Sequence, residues 1–354
     1  MSRHITLSSA SMKSISLFPL IMATLLVASY SARGQKESPA QRRDWTRTIE
    51  HDGVKRTYHV HLPPRFEMGK ALHPAVIGLH GGGGDARRFA KGSTGGTLLR
   101  AAENRGVVLI LPEGLNGHWN DGRTEVFRGQ KGPDDVGFLR KVIDDAVLTF
   151  HLDSRRIFAT GISNGGFMSL RLAVDLSDKI AAVAPVAAQM TPVLAAKKPK
   201  RPVSVLFMCG TKDPIVPYYG GVVRVLRFGR GRGDVLSVDD SAKSWRVIDG
   251  CKSAPIVRHL KDTDPKDGTT VDVMRFAGGR NGTEVAIFKI IGGGHAWPGR
   301  GREHKRWKRR LVGRASTEID AGAVVLEFLL AHGRSRENKK VRRTDIESKG
   351  KDKL

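Results

Sequence analysis

Three residues able to share one hydrolytic reaction stand far apart in this chain, each just beyond an apolar run. Ser163 lies in Gly161-Ile162-Ser163-Asn164-Gly165, Asp213 in Gly210-Thr211-Lys212-Asp213-Pro214, and His295 in Gly293-Gly294-His295-Ala296. A serine hydroxyl is a poor nucleophile until a base takes its proton. Histidine can be that base near neutral pH, and a carboxylate behind it fixes the useful tautomer and stabilises the imidazolium. Gly-x-Ser-x-Gly alone is a weak signal in a chain with 41 glycines. Its setting strengthens it. An apolar run, Ile157-Phe158-Ala159, precedes it, and Phe167, Met168, Leu170 and Leu172 follow at helical spacing. Strand, sharp turn and helix form a nucleophile elbow. Side chains at Gly161 and Gly165 would collide with backbone in so tight a turn.

The reaction also needs donors for a developing oxyanion. The N–H of Asn164, at a helix start, is one candidate. The others are Gly82 and Gly83 in His80-Gly81-Gly82-Gly83-Gly84-Asp85, which follows another apolar run. Gly81-x-Gly83-x-x-Ala86 also fits a loose dinucleotide-binding pattern. That reading leaves Ser163, Asp213 and His295 without a role, so the oxyanion reading ranks above it. His80, Trp119 and Trp297 are the expected substrate contacts, since aromatic faces suit sugar or phenolic rings. For Trp119, core packing is an equal alternative.

The elements that must hold these residues can be read in order. Residues 45–62 alternate around Asp52-Gly53, a β-hairpin signature. Residues 74–79, 107–112, 156–162, 180–186, 203–208, 271–276 and 285–291 are expected strands, several apolar throughout and so covered on both faces. Helices are expected after Asp85 through Ala102, from Asp134 onward, after Ser163, over 237–248 and over 319–330. Asp134 and Asp135 are expected to cap the second of these. Alternating strands and helices imply an α/β fold: a mostly parallel central sheet, helices on both faces and an N-terminal β-hairpin. In α/β-hydrolases the acid and then the histidine follow the serine, which is the order found here.

Lys and Arg number 60 against 35 Asp and Glu, a formal charge of +25. Such a balance favours salt-dependent contact with polyanions. Two cysteines, Cys209 and Cys251, exclude a disulfide-stapled scaffold, and no Cys/His spacing of zinc type occurs. Arg3 and Lys13 precede an uncharged run from Ile15 to Ala28 and then small residues. Residues 1–34 therefore read as a signal peptide, with an uncleaved anchor as the alternative, implying a secreted or periplasmic protein with no membrane span after cleavage. Residues 35–44 read as a linker, 45–333 as the catalytic domain and 334–354 as a basic disordered tail. Arg300–Arg314 carries eight Lys or Arg against one acid, and it reads as a solvated basic loop containing Trp307.

Taken together, these motifs resemble one family. They are His80-Gly81-Gly82-Gly83, Trp119-Asn120 through Asp134-Asp135, Gly161–Gly166, Gly210–Asp213 with Val216-Pro217-Tyr218, Trp245 to Gly250-Cys251, and Gly293–Gly299. The chain is similar over about residues 45 to 333 to the secreted esterases grouped as extracellular polyhydroxybutyrate depolymerases and feruloyl or acetylxylan esterases (carbohydrate esterase family one). The resemblance implies a Ser163–Asp213–His295 hydrolase of polymer-linked esters, needing no metal or organic cofactor and no specific nucleic acid. It departs from the family where Cys209 stands in place of a frequent histidine. It departs again at Ala277-Gly278-Gly279-Arg280, where a cysteine partner for Cys251 is missing. Rival readings are a non-catalytic polyanion-binding protein on the same scaffold and a peptidase of the same fold.

Overall fold

The computed structural model describes residues 42–225, 229–299 and 306–334. The expected signal peptide, the linker up to residue 41, residues 335–354 of the tail and residues 300–305 of the basic stretch lie outside the described residues. From Arg43 onward the chain runs through β1 (Asp44–His51), β2 (Val54–His61), β3 (His73–Leu79), α1 (Thr97–Arg105), β4 (Val108–Pro112), α2 (Asp135–Phe150), β5 (Leu152–Ile162) and α3 (Asn164–Asp175). It continues through β6 (Ala182–Val186), α4 (Pro192–Ala195), β7 (Ser204–Gly210), β8 (Gly221–Val222), β9 (Asp234–Val235) and α5 (Val238–Asp249). It closes with β10 (Ile256–His259), β11 (Thr270–Phe276), β12 (Val285–Ile291), α6 (Arg306–Val312) and α7 (Ala321–Ala331).

Ten strands form one sheet in the order β1-β2-β4-β3-β5-β6-β7-β12-β11-β10. The six from β4 to β12 run parallel. The flanks, β1-β2 beside β4 and β11-β10 beside β12, are antiparallel. Residues one apart on a strand face opposite sides. Ile77, Ile110, Ala159 and Phe207 therefore pack with α2, α3 and α5, while Val76, Leu109, Phe158 and Leu206 pack with α1 and α7. Both faces are covered, which is why these strands read as continuous apolar runs. The hairpin turn is as expected: Asp52 and Gly53 both take positive φ, at 51° and 73°.

Several expectations need correction. The helix expected through Ala102 is interrupted, because Gly95 and Gly96 take φ of 61° and 73° just before α1. Asp134 caps α2, accepting from Gly137 N–H at 3.0 Å. Asp135 does not cap. It is fully buried, pairs with Arg56 at 2.6 Å and accepts from Asn120 N–H at 2.6 Å. The basic stretch folds in part as α6 rather than as a loop. Strands β8, β9 and β10 were not expected; the first two are two residues each, and β10 is exposed along its length.

Both cysteines are free. A side chain added at Gly279 would lie 2.7 Å from the Cys251 sulfur but also 2.4 Å from the Thr283 hydroxyl. Thr283 fills space that a partner cysteine would need.

Asp249, at the end of α5, is fully buried and its Oδ2 has no hydrogen-bond partner among the described residues. Burial pushes its carboxyl up from 3.8 to about 7. The folded chain therefore keeps a proton that the unfolded chain releases near pH 4. Stability contributed at low pH is lost as pH rises through that window. Asp249→Asn should remove this loss, raising stability at pH 8 by on the order of 2 kcal/mol with no gain at pH 4. Thermal unfolding at the two pH values checks it. A variant melting no higher than the parent at pH 8 would contradict the assignment.

Candidate active site

The loops after β3, β5, β7 and β12 meet at the carboxyl ends of the parallel strands, where open α/β sheets gather ligands. Ser163 joins β5 directly to α3 with φ 56° and ψ −124°. Such a conformation costs about 1–3 kcal/mol and persists only where the surroundings enforce it. Here Ser163 N–H donates to the Val186 carbonyl at 2.9 Å, and its carbonyl accepts from Phe167 N–H at 2.9 Å. A side chain at Gly161 would stand 2.5 Å from Gly165 backbone, and one at Gly165 would stand 2.2 Å from the Leu79 carbonyl oxygen. The expected reason for both glycines therefore holds. Gly165→Ala should destabilise the fold by roughly 3 kcal/mol or more, because only backbone could move to make room. Soluble yield and melting temperature read this directly, and an unchanged melting temperature would refute the packing.

Asp213 and His295 come from neighbouring strands β7 and β12. Thr211 N–H donates to the Ile290 carbonyl and Lys212 N–H to the Gly293 carbonyl, at 2.9 and 2.8 Å, stitching the two loops together. Asp213 Oδ1 accepts from the N–H groups of Ile215 and Val216, both at 2.8 Å. Its Oδ2 lies 2.7 Å from His295 Nδ1. An ionised carboxylate can only accept, so Nδ1 carries the ring proton and Nε2 is the free base. The histidine backbone is held in turn: Gly294 and His295 N–H donate to the Arg314 and Val312 carbonyls at 2.8 and 2.6 Å. The basic stretch thus ends as a clamp on the histidine loop.

Ser163 and His295 line the same cleft, of about 240 Å³, together with Gly81, Gly82 and Asn164. Gly81–Gly84 is a β-turn, closed by Gly84 N–H to the Gly81 carbonyl at 3.0 Å, with Gly83 at φ 72°. That φ is why the third position must be glycine. Gly83 cannot serve the oxyanion as expected, because its N–H donates to the Gly117 carbonyl at 2.8 Å. Gly82 borders the cleft with its N–H unengaged among the described residues. Asn164 opens α3, so its N–H has no acceptor within that helix.

The Asn164 side chain has its own work, not foreseen from sequence. Its Oδ1 accepts from Trp119 N–H at 2.8 Å, and its Nδ2 donates to the Trp119 carbonyl and to Asp121 Oδ2 at 2.9 and 2.7 Å. This ties the segment from Trp119 to Arg123 against the elbow. Asp121 also holds Arg123 in a two-pronged pair, at 3.1 and 2.6 Å. The Arg123 guanidinium lies 3.9 Å over the Phe167 ring.

The three expected substrate contacts are structural instead. His80 is fully buried; its Nδ1 donates to the Gly81 carbonyl and its Nε2 accepts from Gly114 N–H, both at 2.9 Å. Burial lowers its pKa, so it stays neutral and shapes the glycine loop. Trp119 is fully buried and donates Nε1–H to the His80 carbonyl at 3.0 Å. Trp297 is 1% exposed, donates to Thr97 Oγ1 at 3.1 Å and packs edge-on to Phe89. Aromatic rings this deep fill the core, and residues bordering the cleft in their stead include Arg123, Arg232 and Ile215.

The sheet, the strained turn after β5 and the loops gathered above it define an α/β-hydrolase. No family model matches the chain. It is 28% identical over 286 residues to NocK of Nocardia uniformis subsp. tsuyamanensis, which carries an esterase assignment, covering 78% of this chain and 80% of that one. It is 30% identical over 245 residues to feruloyl esterase B of Piromyces equi, covering 67% of this chain and 42% of that one. It is 28% identical over 166 residues to a bifunctional acetylxylan esterase/xylanase of Neocallimastix patriciarum, covering 47% of this chain and 22% of that one. The chain spans less than half the length of these last two. Among solved structures, the acetyl xylan esterase from Aspergillus awamori aligns with a TM-score of 0.48 at 15% identity, over 75% of this chain and 98% of that one. Its sequence likeness is therefore to esterases, feruloyl and acetylxylan esterases among them. Among the described residues, no helix is long and apolar enough to cross a membrane.

Proposed function

We propose that this chain is a carboxylic ester hydrolase working through an acyl-enzyme on Ser163. The observation that carries the reading is the strained Ser163 and His295 bordering one cleft, with Asp213 hydrogen-bonded behind the histidine. Ser163 attacks the ester carbonyl while His295 Nε2 takes its proton. The oxyanion accepts from the N–H groups of Gly82 and Asn164, each contributing about 3 kcal/mol to the barrier reduction. His295 then protonates the leaving alcohol, and water repeats the sequence on the acyl-enzyme. The substrates are polymer-linked esters, feruloyl or acetyl esters of polysaccharide or hydroxyalkanoate polyesters, met outside the cytoplasm after residues 1–34 are removed. The relatives named as feruloyl and acetylxylan esterases support the first two classes. Hydrolysis rates of purified mature protein on feruloyl, acetyl-xylan and hydroxyalkanoate esters test this reading. Activity on none of them, with p-nitrophenyl acetate also untouched, would end it.

The basic surface is a separate proposal. Arg309 and Arg310 of α6 are exposed, in a chain of formal charge +25. Binding to heparin should weaken steeply as salt rises. Retention indifferent to ionic strength would contradict it.

A further inference from the structure

Two arginines border the cleft beside Ser163, and only one of them is spent. Arg123 is 6% exposed, and its charge is met by Asp121 at 2.6 Å. Its remaining terminal nitrogen donates to the Arg232 carbonyl at 3.1 Å. Arg232 is fixed at its backbone by that bond and by its own N–H, which donates to the Val223 carbonyl at 2.8 Å. Arg232 is half-buried and lines the cleft, and its guanidinium has no carboxylate within ion-pair distance among the described residues. The other walls near it are apolar: Val126, Ile215, Val223 and Val225. A second cleft of about 330 Å³ shares Val126, Val225 and Arg232 with the first. Exposed Arg128 and Arg230 line it against a single acid, Glu125.

An unpaired guanidinium on an apolar wall is a forked donor awaiting a planar anion, and carboxylate fits it two-pronged. We infer that Arg232 selects esters that carry a carboxylate a few bonds from the scissile carbonyl, with Arg128 and Arg230 drawing further negative charge along the groove. The substrate class is thus an acidic ester, such as an ester on or beside an acid sugar, rather than a neutral one. Arg232 is a specificity residue; it takes no part in bond making. The inference rests on Ser163 esterase activity and narrows it.

The test compares kcat/KM for matched neutral and carboxylate-bearing p-nitrophenyl esters (acyl side) and matched acetyl esters of neutral and carboxylate-bearing alcohols (alcohol side). The parent should prefer the anionic member of one pair, and that pair tells which half carries the charge. In Arg232→Gln the anionic-to-neutral ratio for that pair should fall about tenfold, and Arg232→Lys should restore part of it. Circular dichroism of both variants should match the parent, keeping the ratio a readout of recognition rather than of folding. No preference in either pair, or a ratio unchanged by Arg232→Gln while both esters are cleaved, overturns this inference alone. Failure of the parent to cleave any of the four esters overturns the esterase reading, and this inference with it.

Discussion

Ser163→Ala should lose ester hydrolysis by at least ~10⁴-fold while keeping its fold. The loss is large because Ser163 carries the only hydroxyl or thiol on the cleft among the described residues: the remaining lining is glycine, aliphatic, Asn164, His295 and two arginines. What activity remains would come from the Gly82 and Asn164 N–H groups and from water activated by His295. The fold should survive because Ser163 is anchored by its backbone, through Val186 and Phe167. Alanine keeps the Cβ, so the positive φ is no worse than before. Initial rates on p-nitrophenyl acetate, with melting curves of both proteins, decide the matter. Hydrolysis by the variant at the parent's rate would mean that Ser163 is not the nucleophile.

Asp213→Asn should lower kcat about 10⁴-fold with KM little changed. The carboxylate does two jobs. Oδ1 accepts from the N–H groups of Ile215 and Val216, and Oδ2 accepts a hydrogen bond from His295 Nδ1–H. Asparagine can keep the first with its carbonyl oxygen. It then presents an N–H to His295 Nδ1, which must become an acceptor. The ring proton moves to Nε2, on the serine side, and the base is gone. Asp213→Ala is the poorer test, because it also leaves two part-buried N–H groups without their acceptor and costs stability. A fall in kcat of less than tenfold for Asp213→Asn would remove Asp213 from the reaction.

The parts legible in the sequence are those specified locally. The Asp52-Gly53 turn needs positive φ at both residues, and the sequence supplies the two types that tolerate it. The elbow glycines are dictated by backbone within van der Waals reach, so the tightness of a strand-to-helix turn is reason enough for both. Apolar runs such as Ala75-Val76-Ile77 announce a sheet covered on both faces. The aromatic assignments failed for the opposite reason. Whether Trp119 and Trp297 face a cleft or the core depends on segments distant in sequence, Asn164 for one and Thr97 for the other. His80 beside four glycines resembles a loop residue, yet it follows a buried strand without a break and is enclosed with it. The one signal that favoured burial was that continuity. Gly83 shows a similar limit, since a glycine run does not reveal which amide is already taken. Arg232 was unreadable because β8 and β9 are two-residue strands in a stretch without periodicity.

The central claim is that Ser163 carries the acyl group. The most direct measurement is mass spectrometry of the protein after reaction with an activated phosphonate ester, which traps a serine nucleophile as a stable adduct. One adduct per chain is expected, on the peptide containing Ser163, and it should be absent from Ser163→Ala and slowed in Asp213→Asn. No adduct on the parent protein, or an adduct on any residue other than Ser163, would contradict the account.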